Sequence, residues 1–256
     1  MFKNVGIQLY SIRNHTQDLE GIKHALKSLA EIGYTELQTA GAFPCSVEEY
    51  MSVVKENGLK IIGTHYILPE NLDDLDDYIA YHKALETTNA GVGGGASGKN
   101  KEDLMAYIDH VNALAEKLAE HGMKFTYHHH SHEFGKVDTL RTMDYLVDGF
   151  DKKNVSFVLD TYWLSHAGCD VNEWIKKLEG RVDILHLKDK EIPFGTNDGI
   201  ITEVGSGNLN FESIIKTAEA TGVKHICVEQ DDWPSDRDSL ECAKMSFDHI
   251  AKIIGL

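Results

Sequence analysis

The chain has few cysteines and no long apolar run. Cys45, Cys169, Cys227 and Cys242 stand apart among 256 residues, without the close pairs that a zinc knuckle needs, so reduced thiols are expected in a protein of this size. Nothing is long and apolar enough to span a membrane, and the opening MFKNVGIQLYSIR enters a strand pattern without the apolar core and cleavage site of a signal peptide. The default location is therefore cytoplasmic. Positive charge is scarce as well: 25 Lys and Arg face 41 Asp and Glu, a formal net charge of −16. A surface of that sign repels phosphate backbones and disfavours a primary nucleic-acid role. The glycine run GVGGG (91–95) has neither the spacing nor the basic partner of a phosphate or dinucleotide loop.

What is present is alternation. β-like runs at 5–11, 35–40, 60–66, 89–94, 124–130, 155–160, 182–188 and 225–230 are interleaved with helical patterns near 17–32, 46–57, 72–87, 101–121, 138–149, 171–180, 210–221 and 236–254. Strict alternation implies a parallel sheet with helical crossovers, and a length near 250 suits one (β/α)8 TIM barrel of class α/β. No linker or low-complexity stretch divides the chain, so residues 1–256 read as one domain. The run at 89–94 is the weakest strand, because glycine lowers strand stability and offers nothing to pack. In the helix near 101–121, Leu104, Ile108, Val111, Leu114, Ala115 and Leu118 recur at three or four residues and should face the sheet.

Four of the strand runs end in groups able to bind a divalent metal: FTYHHHSHE (125–133), VSFVLD (155–160), VDILHLKD (182–189) and HICVEQD (225–231). Barrel enzymes place their chemistry at the C-terminal ends of the strands. Side chains alternate along a strand, so helix-facing Leu185 and Leu187 turn Ile184, His186 and Lys188 inward. The same rule points Ser156, Val158 and Asp160, then Cys227, Glu229 and Asp231, toward the axis. It also turns Thr126, His128 and His130 inward, with Glu133 just beyond the strand end. Gln8, Tyr10, Glu36, Gln38, Gly63 and His65 are expected inward near the top. His129 reads as structural and His132 as a solvated loop residue. Converging carboxylates and imidazoles are costly in a barrel interior unless a cation or mutual hydrogen bonds compensate them. Asp160, His186 and Glu229 are candidate metal ligands, with Glu133, His128 and His130 competing for the fifth-strand position. Carboxylates with imidazole suit manganese, magnesium, cobalt or zinc. Each has a plainer reading: Asp160 as a helix cap, His186 as a core histidine, Glu229 as a partner of Lys188.

VGIQLYSIR, YHHHSHEF (127–134), LDTYW (159–163), ILHLKD (184–189), EVGSGNLNF (203–211) and VEQDDWP (228–234) together resemble the sugar phosphate isomerase/epimerase superfamily of xylose-isomerase-like TIM barrels, in order over essentially the whole chain. The resemblance implies a divalent metal at the barrel mouth, with Asp160, His186 and Glu229 carried over directly. Relatives place a carboxylate on the fifth strand, where this chain has its histidine run and Glu133 as the nearest acid. Trp163 stands where many relatives have a histidine, and Gln38 where some have an acid.

The expected activity is a metal-dependent isomerase or epimerase acting on a sugar, keto-sugar or polyol derivative through a metal-stabilised enediolate. Glu229, Glu133 and His130 are the acid–base candidates. His65, His128, Lys188, Trp163, Tyr10 and Gln38 are the substrate contacts, with Trp233 as a further wall. Residues 189–209 form a long loop able to fold over the substrate or to lie as ordered surface. A lyase or dehydratase on a keto-sugar or inosose would use the same site. A metal-dependent endonuclease is opposed by the charge, and a non-catalytic sugar-binding protein is the reading from outside enzymology. The partner is a small-molecule carbohydrate, with neither nucleic acid nor membrane; a homo-oligomer is compatible with the fold.

Overall fold

The computed structural model describes residues 1–256. Eight parallel strands make the barrel: β1 Gly6–Gln8, β2 Glu36–Ala40, β3 Lys60–His65, β4 Asn89–Val92, β5 Lys124–His128, β6 Val155–Asp160, β7 Val182–Leu187 and β8 His225–Val228. Their order around the sheet is β3-β2-β1-β8-β7-β6-β5-β4, each neighbour in parallel register. The seam between β3 and β4 is joined by Tyr66 N–H to Gly91 O and by Asn89 Nδ2 to Ile62 O, both at 2.8 Å.

The helix layer packs over the outer faces of the strands. Leu104, Ile108, Val111, Leu114, Ala115 and Leu118 of the helix Lys101–Ala119 are all buried, as the periodicity requires, and Asn100 caps that helix by accepting from Asp103 N–H. Inside the barrel, Ile62, Val158, Ile184 and Cys227 form a small apolar plug separate from the main core. The alternation inferred for β6, β7 and β8 is therefore the one the fold adopts. On β3 the pairing slips between Ile61 and Gly63, a bulge that adds Ile62 to the plug. A side chain on Gly63 would crowd Ile184 Cδ1 at 2.9 Å.

Below the plug, at the strand N-termini, buried Glu36 meets Lys60 and His225, and buried Asp183 meets Lys224 and Ser156. Glu36 thus lies at the end opposite the expected mouth. Above the plug the strands deliver His128, Asp160, His186 and Glu229. No helix is long and apolar enough to cross a membrane.

Candidate metal centre and active site

Asp160 ends β6 and divides its two oxygens between structure and site. Oδ1 accepts from Trp163 N–H at 2.9 Å, capping the helix Thr161–His166, while Oδ2 faces the barrel axis. One oxygen thus makes the helix cap, and the other is left to the cluster. Around Oδ2 lie His128 Nε2 at 3.5 Å, His186 Nδ1 at 3.7 Å and Lys188 Nζ at 3.2 Å. Glu229 Oε2 is 2.8 Å from His186 Nδ1 and 3.8 Å from His128 Nε2. The ligand-capable atoms of His128, Asp160, His186 and Glu229 all fall within 4.8 Å of one another. Both ring nitrogens of His128 and Oδ2 of Asp160 are buried without a hydrogen-bond partner. Orphaned ligand atoms of this kind, converging from two strands beside His186 and Glu229, fit a divalent cation held by carboxylate and imidazole.

The protein supplies cations of its own. Lys188 Nζ sits 2.8 Å from Glu229 Oε2 and 3.0 Å from Asp231 Oδ2. Burial opposes the charge of Lys188, but Asp160, Glu229 and Asp231 outweigh burial and hold the amine well above its ordinary value. Burial likewise opposes ionisation of Asp160 and Glu229, and the same lysine, with His186, keeps both carboxyls well below theirs. His186 is raised to about 9: burial lowers it, and the carboxylates of Glu229 and Asp160 more than compensate. Gln38 lies behind His186, its Oε1 accepting from both His186 Nε2 and Gln8 Nε2. Asp231 differs from its neighbours. Burial and the adjacent Glu229 charge push it upward, against the pull of Lys188.

A cavity of about 620 Å³ opens over the cluster, walled by Tyr10, His65, His128, His130, Lys188 and Glu229 among others. Burial and His128 push the His130 imidazole down to about 3, and burial with the surrounding imidazoles keeps His65 well below its ordinary value. Both rings are neutral hydrogen-bonding walls. Trp163 does not line the cavity; it packs beside two residues that do, 5.2 Å from the His130 ring and 5.3 Å from Lys188 Nζ. Trp233 meets the cavity through Arg13, whose guanidinium lies 4.7 Å from its ring and 4.1 Å from that of Tyr10.

Glu133 does not join the four. The short 3-10 turn His132–Phe134 folds its carboxylate back under β5, where Oε1 accepts from Tyr127 Oη and Oε2 from His130 N–H, each at 2.8 Å. The strand position itself carries His128. Gln38 is buried behind His186 and away from the cavity wall. His129 is structural, its Nε2 accepting from Asp160 N–H at 3.1 Å. His132 is half-exposed beside Glu133. Residues 189–209 do not cover the cavity. They form a surface hairpin, Asp189–Glu191 against Ile200–Thr202, and contribute nothing to the cavity wall. Arg13, Tyr66, Asp231 and Asp232 also line the cavity, outside the residues that the sequence nominates for the site. For Asp231 the signal was there, in its inward parity on β8 beyond Glu229.

Residues 26–246 match the xylose isomerase-like TIM barrel family, and the chain belongs to it. An inosose dehydratase of Mesomycoplasma hyopneumoniae is 24% identical over 272 positions, spanning 90% of this chain and 88% of that protein. Two solved structures share the fold. A sugar phosphate isomerase/epimerase from Parabacteroides distasonis has a TM-score of 0.80 at 23% identity, covering 98% of this chain and 94% of that one. A probable 3-DHS dehydratase from Bacillus anthracis has a TM-score of 0.75 at 16% identity, covering 98% and 99%.

Proposed function

We propose that the protein is a divalent-metal-dependent lyase that removes water from a cyclic keto-polyol or keto-sugar through an enolate. One observation carries the reading: Lys188 Nζ is held between Glu229 at 2.8 Å and Asp231 at 3.0 Å, two carboxyls pushed in opposite directions by their surroundings. Paired titratable groups driven apart in this way suit a base and an acid. The likeness to an inosose dehydratase along most of the chain agrees with that assignment.

His128, Asp160, His186 and Glu229 would hold the ion, which when bound supplies Lewis-acid polarisation of the substrate carbonyl. Glu229 takes the proton from the carbon next to that carbonyl. Lys188 places its charge beside the electron-rich oxygen that results. In its protonated form Asp231 gives a proton to the hydroxyl on the next carbon, which leaves as water while the carbon–carbon double bond forms. His65 and His130, both neutral, orient substrate hydroxyls.

An isomerase or epimerase is the second reading. It shares the first step but returns the proton to carbon, and His130, on the β5 side of the cavity and outside the four ligand-capable groups, would be its second proton carrier. The metal-loaded protein should be mixed with inososes and ketoses in deuterated water and followed by NMR. Loss of a hydroxyl with a new vinyl signal supports the lyase. Deuterium at carbon with no loss supports the isomerase. Binding without exchange on any compound would leave a carbohydrate-binding protein and remove the catalytic reading.

A further inference from the structure

The catalytic cavity does not end at the cluster. A second cavity of about 430 Å³ adjoins it on the β3–β4 side and shares three of its residues, Tyr66, Gly93 and His130. The two compartments differ in chemistry. The inner one carries Arg13, Lys188, Glu229, Asp231 and Asp232. The outer one is bounded by Gly93, Gly94 and Gly95, just past β4, with Leu68, Ser97 and His132, and no Lys, Arg, Asp or Glu lines it. A phosphate there would find no cation to neutralise it, whereas a neutral ring bearing hydroxyls would find apolar and hydrogen-bonding surface together.

The passage between the compartments is kept open by the glycines that follow β4. Gly94 and Gly95 have φ of +138° and +134°, conformations that side-chain-bearing residues rarely adopt. A Cβ on Gly95 would stand 3.1 Å from Tyr107 Oη, and one on Gly93 would stand 3.4 Å from His65 Nδ1. Tyr66 forms one side of the passage, its ring fixed by stacking on Tyr81 at 4.3 Å. His130 forms the other, with a buried Nδ1 that has no partner in the protein. We infer that the outer cavity is a subsite for a second, uncharged ring, so that the preferred substrate is an O-glycoside of the keto-sugar whose reacting ring lies over the cluster. This rests on the function proposed above. The bridging oxygen would pass between Tyr66 and His130, and the second ring would lie over the glycine backbone with its hydroxyls toward Ser97 and His132.

The test is calorimetric binding of one-ring keto-sugars and their O-glucosides to the manganese-loaded protein, in wild type and in Ser97→Trp, where an exposed position receives a side chain large enough to fill the outer cavity. At least one glucoside should bind tenfold or more tightly than its parent. Ser97→Trp should erase that advantage while leaving the parent within about twofold, which also shows that the fold is intact. Pairs that all bind equally, or an advantage that survives Ser97→Trp, would overturn the subsite. If the one-ring compounds still exchange deuterium, the proposed reaction stands without it. If no carbohydrate of either size binds, the carbohydrate reading falls and the subsite with it.

Discussion

Lys188 Nζ lies 2.8 Å from Glu229 Oε2 and 3.2 Å from Asp160 Oδ2, so an ammonium contacts the same carboxylates that would hold a divalent ion. A tethered cation there lowers the cost of burying those carboxylates and competes for them. Lys188→Met should weaken the metal-free fold by about 3–5 kcal/mol, because it leaves buried acids unpaired. The same change should tighten manganese binding by about tenfold, roughly 1.4 kcal/mol. Urea unfolding and calorimetric titration read the two effects. Weaker manganese binding in the variant would show that Lys188 supports the ion and does not oppose it.

Substitution separates two of the three β5-side candidates, His128 and Glu133. His128→Ala should reduce the metal retained after dialysis by at least tenfold, and Asp160→Asn should do likewise. Glu133→Gln should leave metal content unchanged, since its carboxylate is committed to Tyr127 and His130. Elemental analysis decides, and metal loss in Glu133→Gln alone would reverse the assignment.

The base and the acid are distinguishable by which step stops. Glu229→Gln should lower both deuterium uptake and dehydration by about 10²–10⁴. Asp231→Asn should suppress dehydration while uptake continues. Equal loss of both activities in Asp231→Asn would place it in proton abstraction or substrate binding.

At the N-terminal end of the barrel strands, burial pushes Glu36 up, but His225 and Lys60 outweigh burial and leave it below its ordinary value. A depressed carboxyl contributes stability above the unfolded-state value, about 4.3, and loses it as pH falls through the folded value. Wild type should therefore lose stability more steeply below about pH 4.3 than Glu36→Gln. Urea midpoints from pH 6 to 3 test this, and parallel curves would show that Glu36 contributes nothing to acid unfolding.

Much of this was legible because strand parity is rigid. Helix-facing Leu185 and Leu187 determine the direction of His186 and Lys188, and the same argument places Asp160 and Glu229. Parity has no hold past the strand end. Glu133 lies five residues beyond His128, and a single 3-10 turn decides whether its carboxylate faces the axis or Tyr127. Gln38 was correctly inward, but its contact with His186 removes it from the substrate wall. Arg13 reaches the cavity from the 3-10 segment Leu9–His15 after β1, where strand parity has no hold.

The excursion after β7 shows a further limit. Length and glycines suggested a cover, whereas buried Asp189 fastens it, accepting from the backbone N–H groups of Lys190, Gly205, Gly207 and Leu209. Asp189→Ala should leave those donors unsatisfied, costing about 1–3 kcal/mol for each one that stays buried. Limited proteolysis should then cut within residues 190–209 while wild type resists. Equal resistance would mean that the hairpin pairing alone holds the segment.

The most direct test is an anomalous difference map from a manganese-soaked crystal. One peak is expected among His128, Asp160, His186 and Glu229, within bonding distance of an imidazole nitrogen and a carboxylate oxygen. No peak there, or a peak confined to His130, His132 and Glu133, would contradict the account.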